Sequence, residues 1–224
     1  MFAGKRIIKK QTCVSGPSIE RDHAQDLIFS PYISNCMDID EIIAQLYMLP
    51  DASAAALKAK AREASFPRGH TLLRADRVER SIYFIRKGLV RAYSDADNGQ
   101  VTFWFGREGD PVLSMKSYIS NERSYENIEL LEDCHFYEFA ISELRSLYHQ
   151  DVHLANWGRK LAENELIKAE ERLISMQFKS AQERYDDLLR EQPELLLRAQ
   201  LGHIASYLGM SQVSLSRIRS GRRY

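Results

Sequence analysis

One glycine, set between two short apolar-striped segments near the end of this 224-residue chain, constrains the fold more than any other feature. The stretch Gln200-Leu-Gly-His-Ile-Ala-Ser-Tyr-Leu-Gly-Met-Ser-Gln-Val-Ser-Leu-Ser-Arg-Ile-Arg219 reads as two helices joined by a tight turn. Ile204, Ala205 and Leu208 supply a buried stripe for the first helix. Gly209 supplies the left-handed backbone that a residue with a Cβ resists. Ser211 suits the N-cap of the second helix, on which Leu215 and Ile218, three apart, face inward. The opposite face carries Gln212, Ser214, Arg217 and Arg219, residue types that contact base edges and phosphates. The pattern predicts a helix-turn-helix whose second helix is placed to enter a major groove.

Charge is distributed in keeping with that. Overall the chain is formally neutral, with 31 basic and 31 acidic residues. Residues 195–224 hold five arginines and no carboxylate, which leaves 26 basic against 31 acidic residues before them. A cationic end on an acidic body steers one face toward phosphates.

The length allows one large domain or two smaller ones. Apolar content of 44% and charged content of 28% are ordinary for a globular protein. No apolar run approaches the roughly 20 residues that span a bilayer. The opening Met-Phe-Ala-Gly-Lys-Arg-Ile-Ile-Lys-Lys has no extended apolar core behind its charges, so it does not read as a signal peptide. These features point to a cytoplasmic location. Cys13, Cys36 and Cys134 are far apart and odd in number, which fits reduced thiols. An iron–sulfur cluster needs four thiolates, normally with several closely spaced, and is disfavoured on that count.

Along the chain, residues 1–37 read as an N-terminal arm. Asp38–Leu49 reads as an amphipathic helix ended by Pro50, and the alanine-rich run Asp51–Ala64 as a second. From Phe66 the period shortens. Ile82–Tyr93 alternates around Gly88, Asp95–Gly99 marks a turn, and Val101–Phe105, Tyr125–Leu131 and Phe136–Phe139 read as strands. Many short strands with regular turns predict a double-layered jelly roll over residues 66–141, completing an effector domain at 38–150. Asp151–Phe178 is the longest helical stretch, with Ala162, Leu166, Ala169, Leu173 and Met176 at alternating spacings of four and three, a dimerisation seam. Ser180 and Glu183 form a capping box for the next helix, within a DNA-binding segment at 179–224. The fold class is therefore α+β: a double-stranded β-helix, a long dimerisation helix and a helix-turn-helix.

That order of elements, together with Ile-Arg-Lys-Gly-Leu-Val-Arg (85–91), Gly109-Asp110 and Ile-Ala-Ser-Tyr-Leu-Gly-Met-Ser…Leu-Ser-Arg-Ile (204–218), strongly resembles the Crp/Fnr family of transcription regulators. The resemblance covers roughly residues 40–220. It implies a homodimer built on the long helix, with an effector domain biasing two heads on double-stranded DNA with a palindromic operator, and contact with RNA polymerase through exposed loops. It also places Arg217 where the family has an arginine reading guanine, with Ser216 beside it. Val213 stands where many members have a glutamate, so a different half-site is implied, read by Gln212, Val213 and Arg217. Ser211, Ser214, Arg219, Arg222 and Arg223 are assigned mostly to phosphate. The chain given stops at Tyr224 with no β-wing after the recognition helix, so a minimal head is expected.

The resemblance raises a cyclic nucleotide as effector. Arg123 and Ser124 could stand for the family's phosphate-binding pair, but Ser114 falls where its ribose-binding glutamate should be and Leu113 replaces the preceding glycine. A cyclic nucleotide is therefore disfavoured, and no cofactor or metal is required. An enzyme reading would need a histidine cluster. His70 and His135 stand alone, and His149 and His153, four apart, lack the glutamate of a zinc-peptidase helix. No phosphate loop or serine elbow occurs, so the chain is not read as an enzyme. The alternative kept open is a small-ligand signalling module whose last thirty residues only pack and do not bind DNA.

Overall fold

The computed structural model describes residues 36–97 and 99–221; most of the N-terminal arm, Cys13, Arg222 and Arg223 lie outside them. The first helix, α1 (Ile39–Leu46), starts at Asp38. Its carboxylate accepts from the Glu41 amide at 2.8 Å while Glu41 accepts from the Asp38 amide at 2.9 Å. It stops three residues short of the Leu49 that the pattern predicts, because Tyr47 turns extended and the residue before Pro50 is pushed out of the helical region.

The second helix, α2 (Asp51–Lys58), is likewise shorter than the run to Ala64. Residues Arg62–Phe66 form β1 instead and pair antiparallel with β8 (Cys134–Ala140), Phe66 opposite Cys134. Alanine's helix preference amounts to tenths of a kcal/mol per residue. A five-residue ladder that also stacks Phe66 on His70 and packs it against Phe136 outweighs it. The remaining strands are β2 (Thr71–Leu73), β3 (Ser81–Lys87), β4 (Val90–Ala96), β5 (Gly99–Gly106), β6 (Pro111–Val112) and β7 (Asn127–Leu130). They form two antiparallel four-stranded sheets, β1-β8-β3-β6 and β2-β7-β4-β5, facing each other across Leu73, Ile85, Val90, Ile128, Leu130 and Phe136. The chain crosses from one sheet to the other at Gly88. Its φ of +120° and its approach to Cys134, where a Cβ would overlap the sulfur, admit only glycine. Burial pushes the Cys134 thiol up to about 12, so this sulfur is an unreactive core group.

After β6 a short helix, α3 (Met115–Ser120), leads to β7, and α4 (Ile141–Gln150) follows β8. Asp151 breaks the helix and caps the next one, α5 (Val152–Phe178), accepting from the amides of His153 and Leu154. His149 and His153 therefore sit on different helices, not on one shared face. Trp157 anchors the first half of α5: it is fully buried against Phe84 and donates Nε1–H to the Ile43 carbonyl at 3.2 Å. Beyond Leu161 the apolar side chains of α5 lose their cover, and Leu166 and Leu173 are 70% and 57% exposed. The chain ends in α6 (Ala181–Glu191), α7 (Leu195–Arg198), α8 (Leu201–Tyr207) and α9 (Gln212–Arg219). No described helix is long and apolar enough to cross a membrane.

Candidate nucleic-acid interface

The pair α8–α9 is held by an apolar cluster that it shares with Leu89, Phe105 and Leu131 of the barrel. Ile204, Ala205, Leu208 and Leu215 are buried with Tyr185 and Leu188 of α6 and Leu195 of α7. Gly209 adopts φ +64° between the two helices, and the Met210 amide closes the turn on the Ala205 carbonyl at 3.0 Å. Ser211 caps α9, its Oγ accepting from the Ser214 amide at 3.1 Å and lying 2.9 Å from the Ser214 hydroxyl. With Leu215 pointing in, Val213, Ser216 and Arg217 are exposed on the outer side of the helix, and Gln212 and Arg219 are exposed on its flank beside Leu215. Arg219 also reaches back to the Tyr185 phenol, so part of its charge supports the scaffold. Arg222 and Arg223 lie outside the described residues.

This hairpin also docks on the barrel of its own chain, which the sequence did not signal. The Thr102 amide on β5 donates to Ser206 Oγ at 2.9 Å, and Phe105 meets Tyr207 edge to face at 5.2 Å. Beneath α8 lies Arg91, only 4% exposed, which donates to Glu129 at 2.6 Å and stacks 4.3 Å above the Tyr93 ring. Arg198, at the end of α7, donates to both oxygens of Glu132 and both oxygens of Glu108, at 2.8–3.0 Å. Arg107 pairs with Glu194 nearby, and Arg172 on α5 lies 4.0 Å over the Tyr207 ring while donating to the Tyr207 carbonyl. His203 of α8 has a buried, unpartnered Nδ1. Its pKa is lowered by burial and by the neighbouring Arg91 charge.

Of the three residues expected at an effector site, Arg123 and Ser124 line one shallow outer groove, and Ser114 is not among its lining residues. Ser114 is buried as the N-cap of α3. Ser124 is buried and its hydroxyl donates to the Arg74 carbonyl at 2.8 Å. Arg123 is exposed and lines a shallow outer groove with Asp76, Lys116 and Asn121. Among the described residues it forms no ion pair with Glu122, Glu126 or Glu129. The larger cavity is elsewhere: a cleft of about 880 Å³ between β5, α3 and α5, which continues toward α6 and Tyr207 of α8. No three described His, Cys, Asp or Glu residues are grouped to hold a metal ion.

Residues 63–151 match the cyclic nucleotide-binding domain family. Over most of the chain the structure superposes on FixK2 from Bradyrhizobium japonicum, at 24% identity and a TM-score of 0.65, covering 72% of this chain and 83% of that one. The catabolite activator protein of Thermus thermophilus is similar at 17% identity and TM-score 0.51, covering 79% and 84%. The c-di-GMP-responsive regulator CLP of Xanthomonas campestris is similar at 14% identity and TM-score 0.57, covering 77% and 91%. The chain has the Crp/Fnr fold. Within that fold the β-sandwich corresponds to residues of β1–β8, the long helix to α5 and the head to α6–α9. No curated protein sequence matches the chain.

Proposed function

We propose that this protein is a sequence-specific DNA-binding transcription regulator that acts as a homodimer on a palindromic operator. The observation that carries the reading is the exposed face of α9: Arg217, Gln212, Val213 and Ser216 are displayed together by a helix whose other side is buried. Arg217 would pair bidentately with guanine O6 and N7, Gln212 with a neighbouring base edge, and Val213 with a thymine methyl. Ser211, Ser214 and Arg219, with Arg222 and Arg223, would hold phosphates. The dimer reading rests on α5, where Leu166 and Leu173, and Ile167 and Ile174, are exposed at heptad spacing. The role is regulatory rather than catalytic, exercised in the cytoplasm through RNA polymerase. Any effector acts by binding one disposition of the heads better than another.

The test is selection of bound sequences from a random duplex pool with the purified chain, with and without cyclic AMP. The expected result is a two-fold symmetric site whose guanine preference is lost in Arg217→Ala, at a cost of about 1–3 kcal/mol per half-site. Recovery of nothing above background in either condition would overturn the DNA reading and favour a ligand-binding module.

A further inference from the structure

Where α8 rests on the barrel, two basic side chains meet around one carboxylate. On the barrel side is Arg91 of β4, 4% exposed. Its Nε donates to Glu129 of β7 at 2.6 Å, its Nη1 to Thr102 and its Nη2 to Gln100, both of β5, and its guanidinium lies over the Tyr93 ring. Each of its three nitrogens has an acceptor, and every acceptor belongs to the barrel. Arg91 therefore keeps its partners whether or not the head is docked. On the head side is His203, whose Nδ1 is buried and has no hydrogen-bond partner. The charged groups that bear on its imidazole are Arg91 and Glu129, and Glu129 is already taken up by Arg91. β5 presents the neutral Gln100 and Thr102 to α8, and α9 brings the neutral Gln212 beside Gly202.

A neutral imidazole tolerates this setting, with its proton on Nε2 and a bare Nδ1. A protonated one does not. It carries an N–H at Nδ1 with no acceptor, and it sets a second cation beside Arg91 where the single carboxylate is already paired. Burial first, and then the Arg91 charge, hold the His203 pKa below its ordinary value of 6.5, while Glu129 opposes them. Once the head leaves, the ring gains water at both nitrogens and the cost disappears. The barrel gives up no partner of Arg91 in that exchange; at this contact it loses the Ser206 hydroxyl, which accepts from the Thr102 amide at 2.9 Å.

We propose that the contact between α8 and the barrel is a proton-operated latch: neutral His203 allows the head to sit on β5, and protonation of its ring releases the head. Because the docked value lies below the free one, docking has its full strength above about pH 6.5, weakens as the pH falls through that value and levels off below the docked one. Glu108, whose carboxyl is held below 4.5, acts in a lower range. Protons thus bias the head as an effector does, by favouring one of two dispositions. The inference is independent of the DNA reading, because its test follows head docking alone.

The experiment is amide hydrogen exchange of the full chain at about pH 7.5 and about pH 5.5, on either side of the free imidazole value. With rates corrected for the pH dependence of exchange itself, the quantity read is the protection of Ile204, Ala205 and Leu208 relative to Ile82 and Phe84 of β3. This relative protection is expected to fall about three- to tenfold at the lower pH, about tenfold being the ceiling for an imidazole that stays neutral while docked. His203→Gln cannot titrate, so its ratio is expected to be the same at both pH values, whatever its absolute docking strength. An NMR titration of the parent chain is expected to place the His203 midpoint below 6.5. An unchanged ratio in the parent, or the same fall in His203→Gln, would overturn the proposal. So would a His203 midpoint at or above 6.5, which would mean that Glu129 outweighs burial and Arg91.

Discussion

Arg198→Met is the substitution that most directly probes how the head is held on the barrel. It keeps an unbranched apolar stem of similar reach and removes four charge-assisted hydrogen bonds, two to Glu108 and two to Glu132. Breaking a buried ion pair from one side costs about 3–5 kcal/mol, because the remaining charge is left uncompensated. Here the cost is lower. Glu132 is 32% exposed and returns to water, and Glu108 keeps the Gly88 amide, which donates to it at 2.9 Å. About 2–3 kcal/mol is the resulting magnitude, equivalent to a roughly 30- to 150-fold change in the opening equilibrium. If the head opens as its own cooperative unit, amide hydrogen exchange at Ile204, Ala205 and Leu208 should accelerate by that factor while Ile82 and Phe84 in β3 hold their protection. Equal acceleration in both places would mean that the clamp stabilises the whole fold. Acceleration of the head by less than about threefold would mean that Arg198 contributes little beyond an exposed ion pair, and would refute the argument.

The same cluster gives a pH dependence. Burial pushes the Glu108 carboxyl up, but hydrogen bonds from Arg198 and the Gly88 amide outweigh it and hold it below its ordinary value of 4.5. Because the folded value lies below the unfolded one, the Glu108 part of head docking should be at full strength above about pH 4.5 and weaken as the pH falls through the folded value, and this dependence should vanish in Arg198→Met when exchange is followed against pH. Gly209→Ala forces a Cβ into a left-handed backbone and against the Met176 methyl. A loss of about 1–2 kcal/mol in urea unfolding is expected, with a smaller loss showing that the turn relaxes. Leu173→Glu places a charge on an exposed site of α5, so the monomer fold should be unaffected while sedimentation shifts from dimer to monomer; an unchanged mass would place the dimer contact elsewhere.

What could be read from the sequence follows the range of the interactions involved. The helix-turn-helix is encoded within twenty residues: the apolar stripe, the αL glycine and the serine cap act on immediate neighbours, and all are found where the pattern puts them. The capping boxes at Asp38 and Ser180 are equally local. The strand at Arg62–Phe66 was not legible, because Arg-Glu-Ala-Ser-Phe has no alternation of its own. It is a strand because β8, some seventy residues later, offers an unpaired edge.

The docking of the head was hidden for the same reason in a stronger form. Arg198 meets Glu108 and Glu132 across 90 and 66 residues, and each of the three reads in sequence as an ordinary surface charge. Arg91 lies in an alternating strand at a position facing away from the barrel core, where a charge is unremarkable until α8 covers it and leaves it 4% exposed. Glu126 presents the opposite case. Its parity with Ile128 and Leu130 put a carboxylate on the inward face, so the pattern alone contained the anomaly. Sequence could not show which side chains surround it. A buried carboxylate becomes informative only through its neighbours, and among the described residues Glu126 accepts from the Tyr125 amide at 3.2 Å and forms no ion pair.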